Sequence, residues 1–395
     1  MKNGWQTKTI GDVCEFQRGL TYAKGDEVDV SDNVVLRATN IDLATNLLIF
    51  DELKYINAKV IVPESKKVKK GSLMICTASG SKSHLGKVAL IDEDYGYAFG
   101  GFMGMLTPQN GLLPKYLFHL MTTEDYKDFI GALSDGANIN NLTFDNLKRF
   151  PVPFPPLDEQ KRIVAKLDEA FVGLAKAKEN AEKNLQNARA LFESHLESVF
   201  TQRGKGWVEK RLDALTAFSQ GIQVGLGDQS NVPSKGLVRF IRIIDYTQGT
   251  HDIRYVSDPG RRYWVDKSDI VMVRYGTPGL VGRGIEGVIA NNLFKISILG
   301  SSLTNDFLAY FLGQQTVQKY LSSQGSSTMP ALTFTQLGAV LVSFPHELEE
   351  QKEIATKLDA LREETQRLAR IYEQKLEALE SLKKSILHEA FSGNL

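Results

Sequence analysis

Apolar residues recur every three or four positions along two long, highly charged segments of the chain. In the first segment this spacing links Val164, Leu167, Phe171, Leu174, Ala181, Leu185, Ala188, Phe192 and Val199, with interruptions at Lys178 and His195. In the second it links Ile354, Leu358, Leu361, Thr365, Leu368, Tyr372, Leu376, Leu379, Leu382 and Ile386. Such spacing is typical of an apolar stripe on one side of a helix. The pattern predicts two helices of about 43 residues, each about 65 Å long at 1.5 Å per residue.

The ends of both segments carry the residues expected at helix ends. Proline and acidic residues stand at each start, and glycine stands at each end. A lone helix would leave its apolar stripe in water, so we expect the two stripes to pack against each other. If the two halves of the chain are related by a two-fold axis, the helices run antiparallel. The alternative is that each helix packs only on its own globular part.

The whole chain is a duplicated unit. FPPLDEQKRIVAKLDEAF from Phe154 returns as FPHELEEQKEIATKLDAL from Phe344. Four further segments recur in the same order: GWQTKTIGDV as GWVEKRLDAL, FQRG as FSQG, LRATNID as IRIIDYT, and LTFDNL as LTFTQL. The third match aligns Arg37 with Arg242 and Asn40 with Asp245. Five matches in one order indicate an internal duplication, in which each copy consists of a globular part followed by a helix.

The globular parts mix strands and helices. VVLRATNI, KVALI, DIVMVRY and FKISIL are short β-branched runs that predict strands, and the segments from Leu113 and Leu303 predict one amphipathic helix in each unit. The predicted fold class is α+β: two domains of mixed sheet and helices, separated by two long helices that form an antiparallel coiled coil. We place the domains at 1–153 and 204–343, and the helices at 154–203 and 344–395.

Composition restricts the class of protein only weakly. The chain has 395 residues, no formal net charge and two cysteines, so neither a disulfide framework nor a cysteine-based metal site is expected. The segment Thr201–Ser343 has about five more basic than acidic residues, largely through arginine, which suits phosphates and base edges. The start has no apolar signal core, and no run reaches the ~18 apolar residues of a membrane helix, so we expect a cytoplasmic protein.

Motifs for catalysis are missing. GSKSHLGK from Gly80 resembles a phosphate-binding loop, but its glycines stand too far apart and Val88 replaces the hydroxyl residue. GTPGLVGR from Gly276 repeats the six-residue glycine step, which aligns Arg283 with Lys87. FGGFMG at Phe99 lacks the companion motif of a methyl-donor site, and its counterpart is ANNLFK. The histidines show no metal-like spacing. We therefore expect a chain without catalytic residues, metal or cofactor.

The order of these parts resembles the specificity (S) subunit of type I restriction–modification systems. The resemblance covers essentially the whole chain. It is carried by the pattern Leu-x-Glu-Gln-Lys-x-Ile-x-x-x-Leu-Asp at each helix start and by Ala-Phe-Ser-Gly near the end, with one extra residue before Glu350. The resemblance implies that the globular parts are target-recognition domains for a bipartite DNA site with a nonspecific gap, in double-stranded DNA. It implies two methyltransferase (M) subunits that use S-adenosylmethionine, and restriction (R) subunits that use ATP and Mg²⁺ to translocate and cleave.

Candidate DNA-binding residues lie in loops that are duplicated in position but differ in content. In the first unit they are Gln17, Arg18, Arg37, Asn40, Lys82, Ser83, His84, Lys87, Asn138, Asn140 and Asn141. In the second they are Gln220, Gln223, Arg242, Arg274, Tyr275, Thr277, Arg283, Ser326, Ser327 and Thr328. Asn and Gln can bind adenine with two hydrogen bonds, Arg and Lys can bind guanine, and hydroxyls suit either bases or phosphates.

Other interpretations stay open at this point. Arg37 and Arg242 also suit structural ion pairs, and the Asn and Ser clusters suit plain turns. The lysines from Lys66 to Lys70 suit a solvated edge better than a phosphate clamp. For the whole chain, the alternatives are a specificity module of another phage-defence system and a coiled-coil scaffold that binds proteins.

Overall fold

The structure, a computed structural model, describes residues 4–134, 141–249, 252–323 and 331–395. It divides into two compact units. Unit 1 comprises Met1–Ala181 together with Gln374–Leu395, and unit 2 comprises Glu182–Glu373. Each unit therefore contains one globular part and one section of each long helix.

The elements alternate between short strands and helices until a long helix closes each half of the chain. The first half contains β1 (Gln6–Thr9), α1 (Ile10–Val13), β2 (Cys14–Arg18), β3 (Glu27–Val28), β4 (Asn33–Leu36), β5 (Lys54–Ile56), β6 (Leu73–Cys76), β7 (Val88–Leu90), β8 (Ala98–Phe99), β9 (Met103–Pro108), α2 (Pro114–Leu120), α3 (Glu124–Ser134), α4 (Phe144–Leu147), β10 (Pro151–Phe154) and α5 (Leu157–Thr201). The second contains β11 (Trp207–Arg211), α6 (Leu212–Leu215), β12 (Thr216–Gln220), β13 (Leu237–Ile241), α7 (Ile243–Thr247), β14 (Arg254–Ser257), β15 (Trp264–Val265), β16 (Ile270–Val273), β17 (Val281–Gly282), β18 (Gly287–Ile289), β19 (Leu293–Ile298), α8 (Asn305–Gly313), α9 (Gln315–Ser323), α10 (Phe334–Gly338), β20 (Leu341–Pro345) and α11 (Leu348–Ser392).

The sheets of the two units have matching topologies. Unit 1 pairs β1 with β10 and builds four-stranded sheets in the orders β2-β9-β6-β7 and β3-β5-β4-β8. Unit 2 pairs β11 with β20 and builds the orders β12-β19-β16-β17 and β14-β13-β18-β15. In each unit one strand pair is parallel, β4 with β8 and β13 with β18, whereas the other pairs among these strands are antiparallel. The internal repeat and the α+β class are thus confirmed.

The core of each unit lies between the first four-stranded sheet, the helices and the long-helix sections. In unit 1 the buried residues Tyr116 and Leu106 pack with Leu167 of α5 and Phe391 of α11. In unit 2 the equivalent core contains Phe307 of α8, Leu196 of α5 and Leu358 of α11. Each long helix packs on both globular parts, since Phe391 of α11 lies in the core of unit 1 and Leu196 of α5 lies in the core of unit 2. The alternative that each helix packs only on its own globular part is therefore wrong.

The long helices run antiparallel within each unit. In unit 1 Lys178 Nζ lies 2.8 Å from Glu380 Oε1, and Arg162 Nη2 donates to the carbonyl of Leu395 at 2.6 Å. In unit 2 Arg189 Nη2 lies 2.7 Å from Glu373 Oε1. Positions that rise along α5 meet positions that fall along α11, as the predicted antiparallel coiled coil requires.

A buried glutamine attaches each long helix to its globular part. Gln160 Oε1 accepts from the amide of Leu113 at 2.9 Å, and its Nε2 donates to the carbonyls of Gly111 and Pro155. Gln351 repeats this pattern with the amide of Thr304 and the carbonyls of Ser302 and Pro345. Both glutamines are fully buried. These two glutamines, with Asp168 and Asp359 two turns further along each helix, form what we call the docking joints.

Each predicted amphipathic helix is in fact two helices. In unit 1 the chain breaks between α2 and α3, where the hydroxyls of Thr122 and Thr123 bond to the carbonyls of His119 and Leu120. In unit 2 Gln314 is extended, with φ −65° and ψ 147°, and its side chain donates to the carbonyl of Phe311. Side chains that compete for helix carbonyls favour such breaks, and the amphipathic pattern continues across them.

The proposed alignment of Lys87 with Arg283 is wrong by three residues. The amide of Cys76 donates to the carbonyl of Lys87, and the equivalent amide of Val273 donates to the carbonyl of Leu280. Gly86 and Gly279 therefore correspond, and both have positive φ, 74° and 93°. The repeated six-residue glycine step is a coincidence, because the loop in unit 2 is shorter than that in unit 1.

Candidate nucleic-acid interface

In the first four-stranded sheet of unit 1, β2 and β6 end and β9 begins at one edge, beside a tight turn. Arg18 at the end of β2 pairs with Gly104 of β9, and Cys76 at the end of β6 pairs with Met103. The turn from Gly100 to Met103 closes through the Met103 amide, which donates to the carbonyl of Gly100 at 2.8 Å. We call this edge, formed by Arg18, Lys66, Ala78, Phe102 and Asn141, the strand-end surface of unit 1.

A glycine brings the backbone segments of this edge together. A Cβ on Gly19 would lie 1.9 Å from the carbonyl oxygen of Gly100, and a Cβ on Gly221 would lie 2.2 Å from that of Ala290. Real Cβ atoms do not approach backbone this closely, so only glycine fits either position. The segment FQRG, repeated as FSQG, is thus explained by packing, and the residue before each glycine is placed on the edge.

Basic groups surround the end of β2. The guanidinium of Arg18 lies 5.5 Å from the centre of the Phe144 ring, within cation–π range. Lys66 Nζ donates to the carbonyl of Arg18 at 2.9 Å, so this lysine belongs to the strand-end surface and not to a remote solvated edge. Gln17 is half-buried beside them, and its Nε2 donates to the same carbonyl at 3.2 Å.

The tip of the turn carries an exposed aromatic side chain. Phe102 is 73% exposed. Its carbonyl accepts from the amides of Thr77 and Ala78 at 2.9 and 3.2 Å, and from the Thr77 hydroxyl at 2.9 Å. Ala78 in turn forms a β-bridge with the exposed Asn141. The sequence does not predict Phe102 as a DNA contact, because its segment, FGGFMG, resembles only a cofactor loop.

Unit 2 builds the same edge with different side chains. Arg274 donates its amide to the carbonyl of Asn292 at 2.8 Å, as Thr77 does to Phe102, and Tyr275 bridges Ala331 as Ala78 bridges Asn141. We call the edge formed by Gln220, Gln223, Arg274, Tyr275, Asn291 and Asn292 the strand-end surface of unit 2. Four of these six residues were predicted from the sequence, whereas Asn291 and Asn292 were missed.

Asn291 is the centre of a carboxamide network. The Oδ1 of Asn291 accepts from the Tyr275 hydroxyl at 3.3 Å, and its Nδ2 donates to Gln223 Oε1 at 3.2 Å. Gln220 Nε2 donates to the Asn291 carbonyl at 2.7 Å. These amides are fixed in orientation by one another, and the exposed Gln223 presents its side chain to solvent.

Arg274 is held between aromatic rings. Its guanidinium lies 6.0 Å from the Tyr275 ring centre and 5.8 Å from that of Phe294. Its buried Nε has no hydrogen-bond partner among the described residues. Thr277 follows on an exposed turn, where its carbonyl accepts from the amide of Leu280 at 3.3 Å. A stacked guanidinium has lost rotational freedom, which favours recognition of a base or phosphate.

Several predicted residues have structural roles elsewhere in the units. Asn40 is 1% exposed, and its carboxamide accepts from the amide of Arg37 and donates to the carbonyls of Ile49 and Glu52. Asp245 takes the same role beside Arg242, whose guanidinium lies 3.2 Å from Asp252. The alignment of these two pairs is confirmed, but burial removes Asn40 from the candidate interface, and ion pairing occupies Arg242.

The loop after β6 places Ala78 on the strand-end surface and carries three predicted residues further along. Lys82, Ser83 and His84 form a short 3-10 turn beside a cavity of about 490 Å³, which α3 and the last turns of α11 also line. Lys87 is 9% exposed and donates to the carbonyl of Ile41 at 2.6 Å, and burial lowers its pKa. Burial also lowers the pKa of His84, with Lys87 as the second cause. Lys87 is thus a buried structural residue.

Arg283 serves the docking joint of unit 2. Its guanidinium forms an ion pair with Asp306, approaches Asp359 of α11 to 3.7 Å and stacks over the Tyr310 ring. Asn138, Asn140, Ser326, Ser327 and Thr328 lie outside the described residues. Their neighbours Asn141 and Ala331 both bridge to the strand-end surfaces.

Two further observations concern the described part of the chain. Its His, Cys, Asp and Glu side chains form no group of three or more that could hold a metal ion. Its helices include none that is long and apolar enough to cross a membrane.

Comparison with known proteins gives one consistent family. The family model for the type I restriction modification DNA specificity domain matches residues 2–183 and 235–378. The StySPI specificity subunit of Salmonella potsdam is 27% identical over 100% of this chain and 90% of its own length. The EcoKI specificity subunit of Escherichia coli K12 is 24% identical over the same shares.

Solved structures share the fold of the whole chain. A chain from a study of complex assembly and conformational transition in the type I R-M system aligns with a TM-score of 0.81 and 21% identity, covering 100% of this chain and 99% of its own. The HsdS subunit from Thermoanaerobacter tengcongensis aligns with a TM-score of 0.66 and 20% identity, covering 100% and 98%. With both repeats matched by one family model, the chain belongs to the DNA specificity subunits of type I restriction–modification systems.

Proposed function

We propose that this chain reads a bipartite site in double-stranded DNA, one half with the strand-end surface of unit 1 and the other with that of unit 2. The observation that carries the proposal is the repetition of one backbone edge with two different sets of side chains. A fold that is kept while its exposed side chains differ suits two readers with different targets. Basic groups at each edge would hold phosphates, and Asn, Gln and Arg side chains would read base edges.

Under this proposal a few residues of each surface contact base edges. In unit 1 these are Gln17, Arg18 and Asn141, with Lys66 as a phosphate contact. In unit 2 they are Gln220, Gln223, Arg274 and Tyr275, with Thr277 at the rim. Lys82, Ser83, His84 and Arg283 would then contribute at most phosphate contacts or support, because the first three lie beside the cavity of unit 1 and Arg283 serves the docking joint of unit 2. Arg37 would contribute at the border of the unit 1 surface, because it follows Leu36, whose carbonyl accepts from the Gly100 amide of the turn.

The chain would supply the DNA target and leave catalysis to its partners. We propose that it recruits two M subunits, which carry S-adenosylmethionine, and R subunits, which carry ATP and Mg²⁺, in the cytoplasm. The exposed sides of α5 and α11 are the surfaces we propose for M, added as further helices to make a four-helix arrangement. Lys161 and Lys352 on these sides form intrahelical ion pairs with Asp158 and Glu349.

Methylome sequencing tests the proposal. The chain is expressed together with the M subunit of its own system, in a host that lacks DNA methylation of its own. The expected result is adenine methylation at one bipartite motif whose two specific halves flank a gap of fixed length. Methylation at a continuous motif, or methylation that does not depend on this chain, would refute the proposal.

A further inference from the structure

Phe102 is the largest apolar side chain on the strand-end surface of unit 1, and folding does not explain it. At 73% exposure it gains little from burial. The equivalent position in unit 2 is Asn292, at the same place in a turn that closes through the same hydrogen bond, Leu293 amide to Ala290 carbonyl at 2.9 Å. The turn therefore forms equally well with a polar residue, so the ring is not needed for the turn.

The backbone under Phe102 is unusually well fixed. Its carbonyl accepts three hydrogen bonds, from the amide and the hydroxyl of Thr77 and from the amide of Ala78. The turn is anchored on the other side by the Gly100 amide, which donates to the carbonyl of Leu36 at 2.9 Å. A rigid turn holds an exposed ring at one place, which lowers the entropy that the ring loses on binding.

The neighbours of the ring favour nucleic acid as its partner. Arg18, Lys66 and Asn141 share the edge with Phe102, and the two cations would be held near phosphates. A protein partner would instead be expected to meet an apolar centre with a polar rim. Here a single aromatic ring stands among cationic and amide groups.

We propose that Phe102 recognises the 5-methyl group of a pyrimidine in the first half-site. The inference rests on the proposed function. In the major groove the edges of the bases are polar except for the thymine methyl group, so an apolar side chain that enters the groove gains most by contact with that methyl. The same group is present on 5-methylcytosine, and the ring would accept either base. Unit 2, with Asn292 at this position, would lack this preference.

Base analogues test the inference directly. Once the motif is known, the full-length chain with its methyltransferase partner is titrated against duplexes that carry thymine, uracil, cytosine or 5-methylcytosine at each pyrimidine of the first half-site. Removing one methyl from thymine should weaken binding about fourfold at one position, and adding it to cytosine should recover about the same factor, since a buried methyl group contributes about 0.8 kcal/mol.

Matched variants assign the effect to the ring. In Phe102→Ala the thymine and uracil duplexes should bind equally, whereas Phe102→Leu should keep part of the difference. Ile61→Ala, which removes a side chain that is 87% exposed in the same unit, should keep all of it. Circular dichroism and co-purification with the methyltransferase should be the same for all three variants.

The outcomes separate this inference from the proposed function. If the wild-type complex binds its motif but ignores the methyl group at every position, or if Phe102→Ala keeps the difference, the inference is refuted and the proposed function stands. If Phe102→Ala instead releases the methyltransferase, the ring is a protein contact and the inference is likewise refuted. If the wild-type complex does not prefer its motif over unrelated duplex, the proposed function itself is refuted.

Discussion

The docking joints and the strand-end surfaces are both repeated in the two units, but they are repeated in different ways. At the docking joints the side chains themselves recur, since Gln160 and Gln351 make the same three hydrogen bonds. At the strand-end surfaces only the backbone recurs, and Phe102 is replaced by Asn292. A buried amide has one set of satisfied partners, whereas an exposed side chain is free to change with its target.

The largest expected effect concerns the docking joints. Gln160→Ala leaves the amide of Leu113 and the carbonyls of Gly111 and Pro155 without their buried partner, so we expect the free energy of unfolding of unit 1 to fall by about 3 kcal/mol. Gln351→Ala should destabilise unit 2 by a similar amount. Gln186→Ala, at an exposed position of the same helix α5, is the control and should change stability by less than about 0.5 kcal/mol. Thermal unfolding measures the stability of all three variants. Clearly unequal losses of stability in the two glutamine variants would show that the two docking joints are not equivalent.

The second prediction contrasts two arginines of unit 2. Arg274→Ala should weaken binding to the cognate duplex about 30-fold and relax the base preference in the second half-site, because a good arginine contact discriminates by about 1–3 kcal/mol. Arg283→Ala should leave base preference intact and cost about 1 kcal/mol of stability through its ion pairs with Asp306 and Asp359. Fluorescence anisotropy with matched and mutated half-sites distinguishes the two. Relaxed base preference in the Arg283 variant would instead indicate that Arg283 contacts bases.

The third prediction uses a place where the docking joints differ chemically. His119 lies 3.3 Å from Asp168 in unit 1, where unit 2 places Tyr310 beside Asp359. Burial lowers the pKa of His119 from its ordinary value of 6.5 to about 4. The unfolded chain therefore binds the proton more tightly, and stability present above pH 6.5 is lost as the pH falls toward 4.

The size of this effect follows from the same two pKa values. Between about pH 7 and about pH 5.5 we expect unit 1 to lose about 1 kcal/mol of stability through His119. His119→Tyr, which copies the unit 2 residue, should remove this part of the pH dependence. Thermal melts at the two pH values measure the difference between the wild type and the variant. An unchanged pH dependence in the variant would show that His119 does not titrate in this range.

The smallest expected effect concerns Lys66. As a phosphate contact it has no sequence information to read, so Lys66→Ala should weaken binding to all duplexes by a similar factor. The slope of log affinity against log salt should decrease by about 1. Lys69→Ala, in the same lysine cluster, serves as the control and should leave the slope unchanged. A loss confined to the cognate sequence would make Lys66 a base reader.

Much of the fold could be predicted from the sequence because repetition and periodicity are strong signals. The helix motif that marked the family contains Gln160 and Gln351, and their burial explains why this motif recurs unchanged in both halves. The helix pairing followed from the apolar stripes. The breaks at Thr123 and Gln314 were missed because single side chains that bond to helix carbonyls hardly alter the apolar pattern.

The candidate site was harder to predict. Asn40 and Lys87 have the chemistry of DNA readers, but strand pairing and loop packing bury both of them. The alignment of Lys87 with Arg283 failed because glycine spacing alone cannot fix a strand register. Phe102 and Asn292 could have been predicted, since they occupy equivalent positions of a repeated turn and differ in side chain. Such a difference indicates that folding of the turn does not require a particular side chain there. That difference becomes visible once the turns of the two units are aligned.

The central claim is that each strand-end surface reads its own half of the DNA site. The most direct test is methylome sequencing of a variant that carries Gln220→Ala and Asn291→Ala, in parallel with the wild type. The account predicts that one half of the methylated motif becomes degenerate while the other half and the gap stay unchanged. Equal degeneration of both halves, or an unchanged motif at full methylation, would contradict it.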